Sequence, residues 1–369
     1  MRILMTTDAV GGVWSYSVEL SRALAVHGCE VVLACLGGPL RAEARAEAAA
    51  LRNVVLYEAD YRLEWMQDPW DDVERAADWI GSLVEESGAE LLHLNCYGPA
   101  LHRFDVPVLV VAHSCVHTWW RATRGGDPDG SWRRYRECVI RALAAADCVV
   151  APTNAHLHAT AECYDEVNLN GRATVIVNGI DASRWPADRL PGRFVLGVGR
   201  AWDEAKNLGQ LATLAPTLDC PTLLAGDLGS APPGSPNLVR LGCLPRDDLA
   251  QYFRRAAAFV HPARYEPFGL AVLEAAVCGC PLVLGDIATL RELWQDAALF
   301  VSPDDAAGLG RALERLLCRP GERLRLGRAA RARSRQYSAA RMAAAYANQY
   351  RQLTGPLMRV REEPRENVA

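Results

Sequence analysis

The chain has 369 residues, half of them apolar and 23% charged, with a net charge of −4. That is material for about two domains with real cores, and it offers no general attraction to nucleic acid. No stretch reaches the roughly 20 apolar residues needed to span a bilayer, and the opening Met1-Arg2-Ile3-Leu4-Met5-Thr6-Thr7-Asp8 turns polar too soon for a signal peptide. These features predict a cytoplasmic protein. Twelve cysteines include no Cys-x-x-Cys pair. Even the close pair Cys278 and Cys280 lies in an apolar run, so the thiols read as small buried hydrophobes rather than zinc ligands or a disulfide framework.

The chain opens on a short apolar strand at 3–6, followed by a loop with Gly11-Gly12. Val13, Tyr16, Leu20, Leu24 and His27 then recur at helical spacing. Gly28 is placed to stop that helix, and 31–35 is the next strand. This βαβ unit implies a parallel sheet. Between Leu36 and Leu51 the sequence, rich in Ala and Arg, reads as a loop; 53–79, rich in Tyr, Trp and Asp, shows no regular period and reads as a crossover with loops. Strands follow at 91–94, 106–111 and 148–151. A second series begins near Asn178-Gly179-Ile180-Asp181, with strands at 194–198, 222–225, 258–261, 281–284 and 299–301. A helical pattern at 339–353 precedes a charged tail. Two successive strand–helix series predict an α/β protein of two doubly wound, Rossmann-like domains.

Chemistry concentrates in two places. In Arg264-Tyr265-Glu266-Pro267-Phe268-Gly269-Leu270-Ala271-Val272-Leu273-Glu274-Ala275, Pro267 restrains the backbone and Gly269 permits a tight turn into a helix. The first amides of that helix, around Phe268 to Leu270, suit a diphosphate. Glu274, one turn further in, can reach a ribose hydroxyl pair, and Glu266 can accept from sugar hydroxyls. Two such glutamates alone would read as a solvated helix start; the Pro-Phe-Gly turn after a strand favours the ligand reading. In Gly197-Val198-Gly199-Arg200-Ala201-Trp202-Asp203-Glu204-Ala205-Lys206-Asn207, two cations follow a strand end, where α/β domains bind ligands. Gly11-Gly12 lacks the full Gly-x-Gly-x-x-Gly spacing and by itself is a tight turn. His113, closing the strand Val110-Val111-Ala112, reads first as a hydrogen-bonded core residue.

Together these pieces resemble the retaining glycosyltransferases of the GT-B fold, family 4, over nearly the whole chain. The most specific element is Glu266-x7-Glu274. Gly199-Arg200, Lys206-Asn207, Asn178-Gly179-Ile180-Asp181 and the run from Asp286-Ile287 through Arg291-Glu292-Leu293 support it. The resemblance implies two Rossmann-like domains facing across a cleft: an acceptor-binding domain at 1–178, a nucleotide-sugar-binding domain at 179–338, a last helix at 339–357 crossing back, and a tail at 358–369. It implies that Arg200 and Lys206 neutralise the diphosphate beside Gly199, with the Pro267-Phe268-Gly269-Leu270 turn and Gly11-Gly12. Glu274 would hold the ribose and Glu266 the donor sugar, while His113 would touch that sugar from the opposite domain. Backbone groups from Gly242 to Leu244 would meet the base.

The implied reaction is hexosyl transfer, with retention, from a UDP- or GDP-sugar to a hydroxyl acceptor. No metal or other cofactor is expected, because two cations and a helix end stabilise the leaving diphosphate, and no Asp-x-Asp is assigned to hold magnesium. An epimerase or phosphorylase on the same fold, or a nucleotide-binding scaffold, are the other readings. Trp119-Trp120-Arg121-Ala122-Thr123-Arg124 and Trp132-Arg133-Arg134 suit a peripheral contact with the inner membrane face or a polysaccharide, and equally an amphipathic helix with its loop.

Overall fold

The computed structural model describes residues 1–9, 11–186, 188–190, 192–229 and 237–355. The first half runs β1 (Arg2–Asp8), α1 (Gly12–Leu24), β2 (Glu30–Leu36), α2 (Ala42–Ala49), β3 (Val54–Glu58), α3 (Trp70–Ser87), β4 (Leu91–Leu94), β5 (Val108–Val111), α4 (Val116–Arg124), α5 (Arg133–Ala145), β6 (Cys148–Ala151), α6 (Asn154–Cys163) and β7 (Ala173–Val175). These strands form one parallel seven-stranded sheet in the order β3-β2-β1-β4-β5-β6-β7. Successive side chains leave opposite faces. Ile3 and Met5 therefore join a core with α1, while Leu4 joins the core that packs α3 and α5. Burial on both faces is why these strands read as continuous apolar runs.

The second half runs β8 (Val195–Val198), α7 (Leu208–Leu214), β9 (Thr222–Ala225), β10 (Leu238–Gly242), α8 (Arg246–Arg255), β11 (Ala258–His261), α9 (Leu270–Val277), β12 (Leu282–Gly285), α10 (Ala288–Trp294), β13 (Leu299–Val301), α11 (Ala306–Cys318), α12 (Pro320–Ser334) and α13 (Ala339–Thr354). Its sheet is also parallel, in the order β10-β9-β8-β11-β12-β13. Each sheet reverses its winding once, between β1 and β4 and between β8 and β11. The crevice past the strand ends at such a point is where doubly wound domains bind ligands.

Several local expectations are corrected. The stretch between Leu36 and Leu51 holds helix α2, whose Ala, Glu and Arg have high helix propensity; only Ala48 is buried, so there was little apolar period to detect. The stretch 53–79 contains strand β3 and the start of α3. Val73, Ala76, Ala77, Ile80, Leu83 and Val84 form the buried face of α3, but Trp and Asp at its start mask the pattern. Strands β3 and β10 are sheet edges with exposed Val55, Tyr57 and Val239, and β7 has three half-buried residues. Arg240 interrupts β10, β7 is only three residues long, and the short Val54-Val55-Leu56 run of β3 sits inside the irregular 53–79 stretch. All twelve cysteines are free, and only Cys96, Cys243 and Cys318 are not buried.

The chain passes between the domains twice, and the two passages run side by side. Ile180 N donates to Tyr337 O at 3.2 Å and Ala339 N donates to Ile180 O at 3.1 Å. Glu19 on α1 accepts from Asp181 N at 2.6 Å. Helix α13 then returns to the first domain, burying Met342, Ala343, Tyr346, Ala347 and Tyr350 in the core beside α1. There the Tyr350 hydroxyl and His93 Nδ1 are 2.7 Å apart, both buried. Tyr350→Phe leaves His93 Nδ1 buried without its partner, so it is expected to lower unfolding free energy by about 1–3 kcal/mol; urea unfolding with an unchanged midpoint would contradict this. The helix is described as far as Thr354, and the tail at 358–369 lies outside the described residues. Among the described residues no helix is long and apolar enough to cross a membrane.

Candidate active site

Arg200 leaves the end of β8. Its Nη2 donates to Asp203 Oδ2 at 2.9 Å, and Asp203 Oδ1 accepts from the Trp119 indole at 3.1 Å and Ala205 N at 3.0 Å. Arg200 Nε is buried with no hydrogen-bond partner among the described residues. The same loop brings Lys206 Nζ within 2.7 Å of Glu266 Oε2, which also accepts from His261 Nε2 at 2.8 Å. Burial alone would raise the Glu266 carboxyl, but the Lys206 ammonium and the His261 ring outweigh it and hold the group well below the usual carboxylate range. Glu266 is therefore a fixed negative charge that orients the lysine.

The turn after Glu266 is pinned from both domains. Thr289 Oγ1 donates to Glu266 O at 2.7 Å, and Thr153 Oγ1, from the first domain, donates to Pro267 O at 3.1 Å. Phe268 is buried in the second core. Gly269 has φ +90°, and a β-carbon there would sit 3.0 Å from Val272 Cγ2 and 3.3 Å from Glu266 Cγ, so only glycine turns the chain into α9 here. The amides of Leu270 and Ala271 fall in the first turn, where a helix supplies no carbonyl partner.

Glu274, half-buried on α9, has its carboxyl pushed up to about 8 by burial, with Arg246 opposing and Glu19 adding. Folding thus favours its protonated form. That contribution is complete below the unfolded value of 4.5 and is lost as pH rises through about 8. Glu274→Gln is expected to raise Tm above that of the parent near pH 8.5 and to match it near pH 4.5. Melting curves that stay parallel between those two conditions would contradict the assignment.

The facing wall comes from the first domain. A β-carbon on Gly11 would lie 3.6 Å from Arg200 Nη1, and one on Gly12 3.6 Å from Leu270 Cδ1. The glycine loop at the start of α1 thus sits directly across from the arginine and from the start of α9. His113, at the end of β5, is held by Asn95 Oδ1 at 2.8 Å, and burial lowers its pKa to about 3. Leu244 follows β10 and lines a pocket of about 440 Å³ with Phe194, Asp248, Gln251, Tyr252 and Arg255. That pocket shares no lining residue with the group around Lys206. A second pocket, of about 560 Å³, opens beside the Arg200 loop between Thr123, Trp202, Glu204, Asn207 and Arg264.

Sequence reasoning missed His261, Asp203 and Asn95. Each ends or follows a strand, but its meaning depends on a partner elsewhere. The Trp/Arg segment engages the second domain: Trp119 bonds Asp203, Arg124 pairs with Glu204 at 2.9 Å, and the Arg124 guanidinium lies 4.4 Å from the Trp120 ring centroid. Further along, Arg134 covers Trp70 at 4.5 Å. Other ties across the cleft are Thr118 Oγ1 to Tyr265 Oη at 2.8 Å, and Glu292, which accepts from Asn154 N at 2.9 Å and Ala155 N at 2.8 Å at the start of α6. Asp127-Pro128-Asp129 has the Asp-x-Asp spacing, but Asp127 pairs with Arg121 and Asp129 caps Ser131 N.

Comparison with known proteins agrees with this architecture. The model of the family described as Glycosyltransferase Family 4 matches residues 10–184, and that of Glycosyl transferases group 1 matches residues 235–333. A glycogen synthase of Mycobacterium tuberculosis is 32% identical over 286 residues, 71% of this chain, and the chain spans 64% of that relative's length. Among solved structures, sucrose-phosphate synthase from Thermosynechococcus elongatus superposes with a TM-score of 0.77 at 21% identity, covering 96% of this chain and 99% of the other. HepE of Anabaena, solved in complex with UDP-glucose, gives 0.73 at 16% identity, covering 96% and 100%. With two parallel-sheet domains of the GT-B fold and both halves matched, the chain belongs to the glycosyltransferases of family 4 and group 1.

Proposed function

We propose that the protein is a retaining hexosyltransferase that moves a sugar from a UDP- or GDP-sugar to a hydroxyl acceptor without a metal ion. The observation that carries this reading is the convergence of Arg200, Lys206 and the start of α9 opposite the Gly11-Gly12 loop. A diphosphate seated there meets two cations and a helix N-terminus, and these stabilise the charge that grows as the bond to the sugar breaks. Glu274 is placed one turn along α9 for the ribose, and the glycogen synthase and UDP-glucose-bound neighbours fit such a donor.

Retention needs departure and attack on one face of the sugar. On this reading the leaving phosphate oxygen takes the acceptor proton, so no side-chain base is required. Glu266, held ionised by Lys206 and His261, positions the lysine and the donor sugar rather than attacking the anomeric carbon. The domain contacts around the cleft exclude water that would otherwise hydrolyse the donor.

The test is release of nucleoside diphosphate from UDP-glucose or GDP-mannose on addition of acceptors, with the product's anomeric configuration read by proton NMR. The expected result is acceptor-dependent release, an anomeric configuration equal to the donor's, and no loss with EDTA. An inverted product, or activity abolished by EDTA and restored by magnesium, would contradict the corresponding part. Interconversion of sugars without nucleotide release would instead indicate an epimerase.

A further inference from the structure

A buried polar chain runs under the first-domain wall, from the returning helix to His113. Asn95, just past β4, donates from Nδ2 to Thr6 O at 2.6 Å. A backbone carbonyl can only accept, so this contact fixes which end of the amide is nitrogen. Asn95 Oδ1 is then the atom that meets His93 Nε2 at 3.1 Å and His113 Nε2 at 2.8 Å. An amide oxygen accepts and never donates, so both Nε2 atoms carry hydrogen. At His93 the other nitrogen, Nδ1, accepts from the Tyr350 hydroxyl on α13. At His113 the other nitrogen is left as the lone-pair site of a neutral ring. Around that ring stand Tyr16 on α1, edge-on with centroids 4.5 Å apart, His93 on β4 and His156 on α6.

We propose that Asn95 is a positioning residue that locks His113 as its Nε2–H tautomer, so that Nδ1 accepts a hydrogen bond from a hydroxyl of the donor sugar. The sugar contact rests on the transferase reading above; the lock does not. A histidine held this way distinguishes a hydroxyl, which can donate, from a carbonyl or ether oxygen, which cannot. It also links the crossing helix α13 to the site through Tyr350 and His93.

Two-bond nitrogen–proton NMR of the imidazoles in the full chain reads the tautomers without any ligand, with His113→Gln identifying the signal. The expected result is a neutral Nε2–H ring at His113 from about pH 5.5 to 8, and a mixture of tautomers in Asn95→Ala. An Nδ1–H form or a charged ring over that range in the parent protein overturns the lock. Binding provides the second readout: Asn95→Ala should weaken UDP-glucose or GDP-mannose, whichever the parent binds, by about tenfold, and should change UDP or GDP by less than about twofold. Equal losses for sugar and free nucleotide, or no loss for either, overturn the sugar contact. If the parent binds neither nucleotide sugar, the sugar contact falls together with the transferase reading, and the spectrum alone decides the lock.

Discussion

Lys206→Ala is expected to lower kcat by about 10²–10³-fold, the range seen when one preorganised charge-stabilising group is removed. The lysine sits on a loop after β8, partly buried, with its ammonium 2.7 Å from Glu266. That pairing aims a compact positive charge at the place where the proposed diphosphate develops its own charge. Its removal acts twice, because among the described residues the partly buried Glu266 carboxylate is left with His261 as its one side-chain partner. Breaking a buried pair in this way costs about 3–5 kcal/mol when the remaining charge is fully enclosed, and less here because both side chains keep some exposure. Lys206→Met combined with Glu266→Gln tests the stability part alone: thermal stability should recover once the unpaired carboxylate is removed with the lysine. Full kcat in Lys206→Ala would remove the lysine from the mechanism.

Gly179→Ala is expected to cost about 3 kcal/mol or more although it adds a single methyl group. The reason is close approach between the two passages that join the domains. A β-carbon at residue 179 would lie 2.3 Å from Ser338 O and 2.8 Å from Ala339 N, both backbone atoms. Neither can swing aside as a side-chain tip would, so the passages must separate, which strains the bonds from Ile180 to Tyr337 and Ala339. Chemical unfolding measures the loss. An alanine variant as stable as the parent would show that the crossing yields freely.

Much of the fold was legible because parallel strands buried on both faces leave apolar runs in the sequence. Helix α2 and the edge strand β10 were not, since they bury too little to leave a period, and the short apolar run of β3 was lost in the irregular stretch around it. The candidate site divides along the same line. Glu266, Gly269 and Glu274 lie on one turn and its helix, and Arg200 and Lys206 on one loop, so their spacing carried the inference. Asn95 holding His113, Thr153 pinning Pro267 and Glu292 capping α6 are made only by the folded chain. The Trp119 segment is a sharper case: aromatic and basic residues suit a membrane surface or a domain contact equally, and only the positions of Asp203 and Glu204 reveal the contact it makes.

The central claim is the seat of the diphosphate, and a crystal structure with UDP or GDP bound tests it most directly. The predicted result is phosphate oxygens on the amides of Leu270 and Ala271, with Arg200 and Lys206 turned onto them and Gly12 facing them across the cleft. A nucleotide bound elsewhere, or one whose phosphates point away from the 266–274 turn, would contradict it.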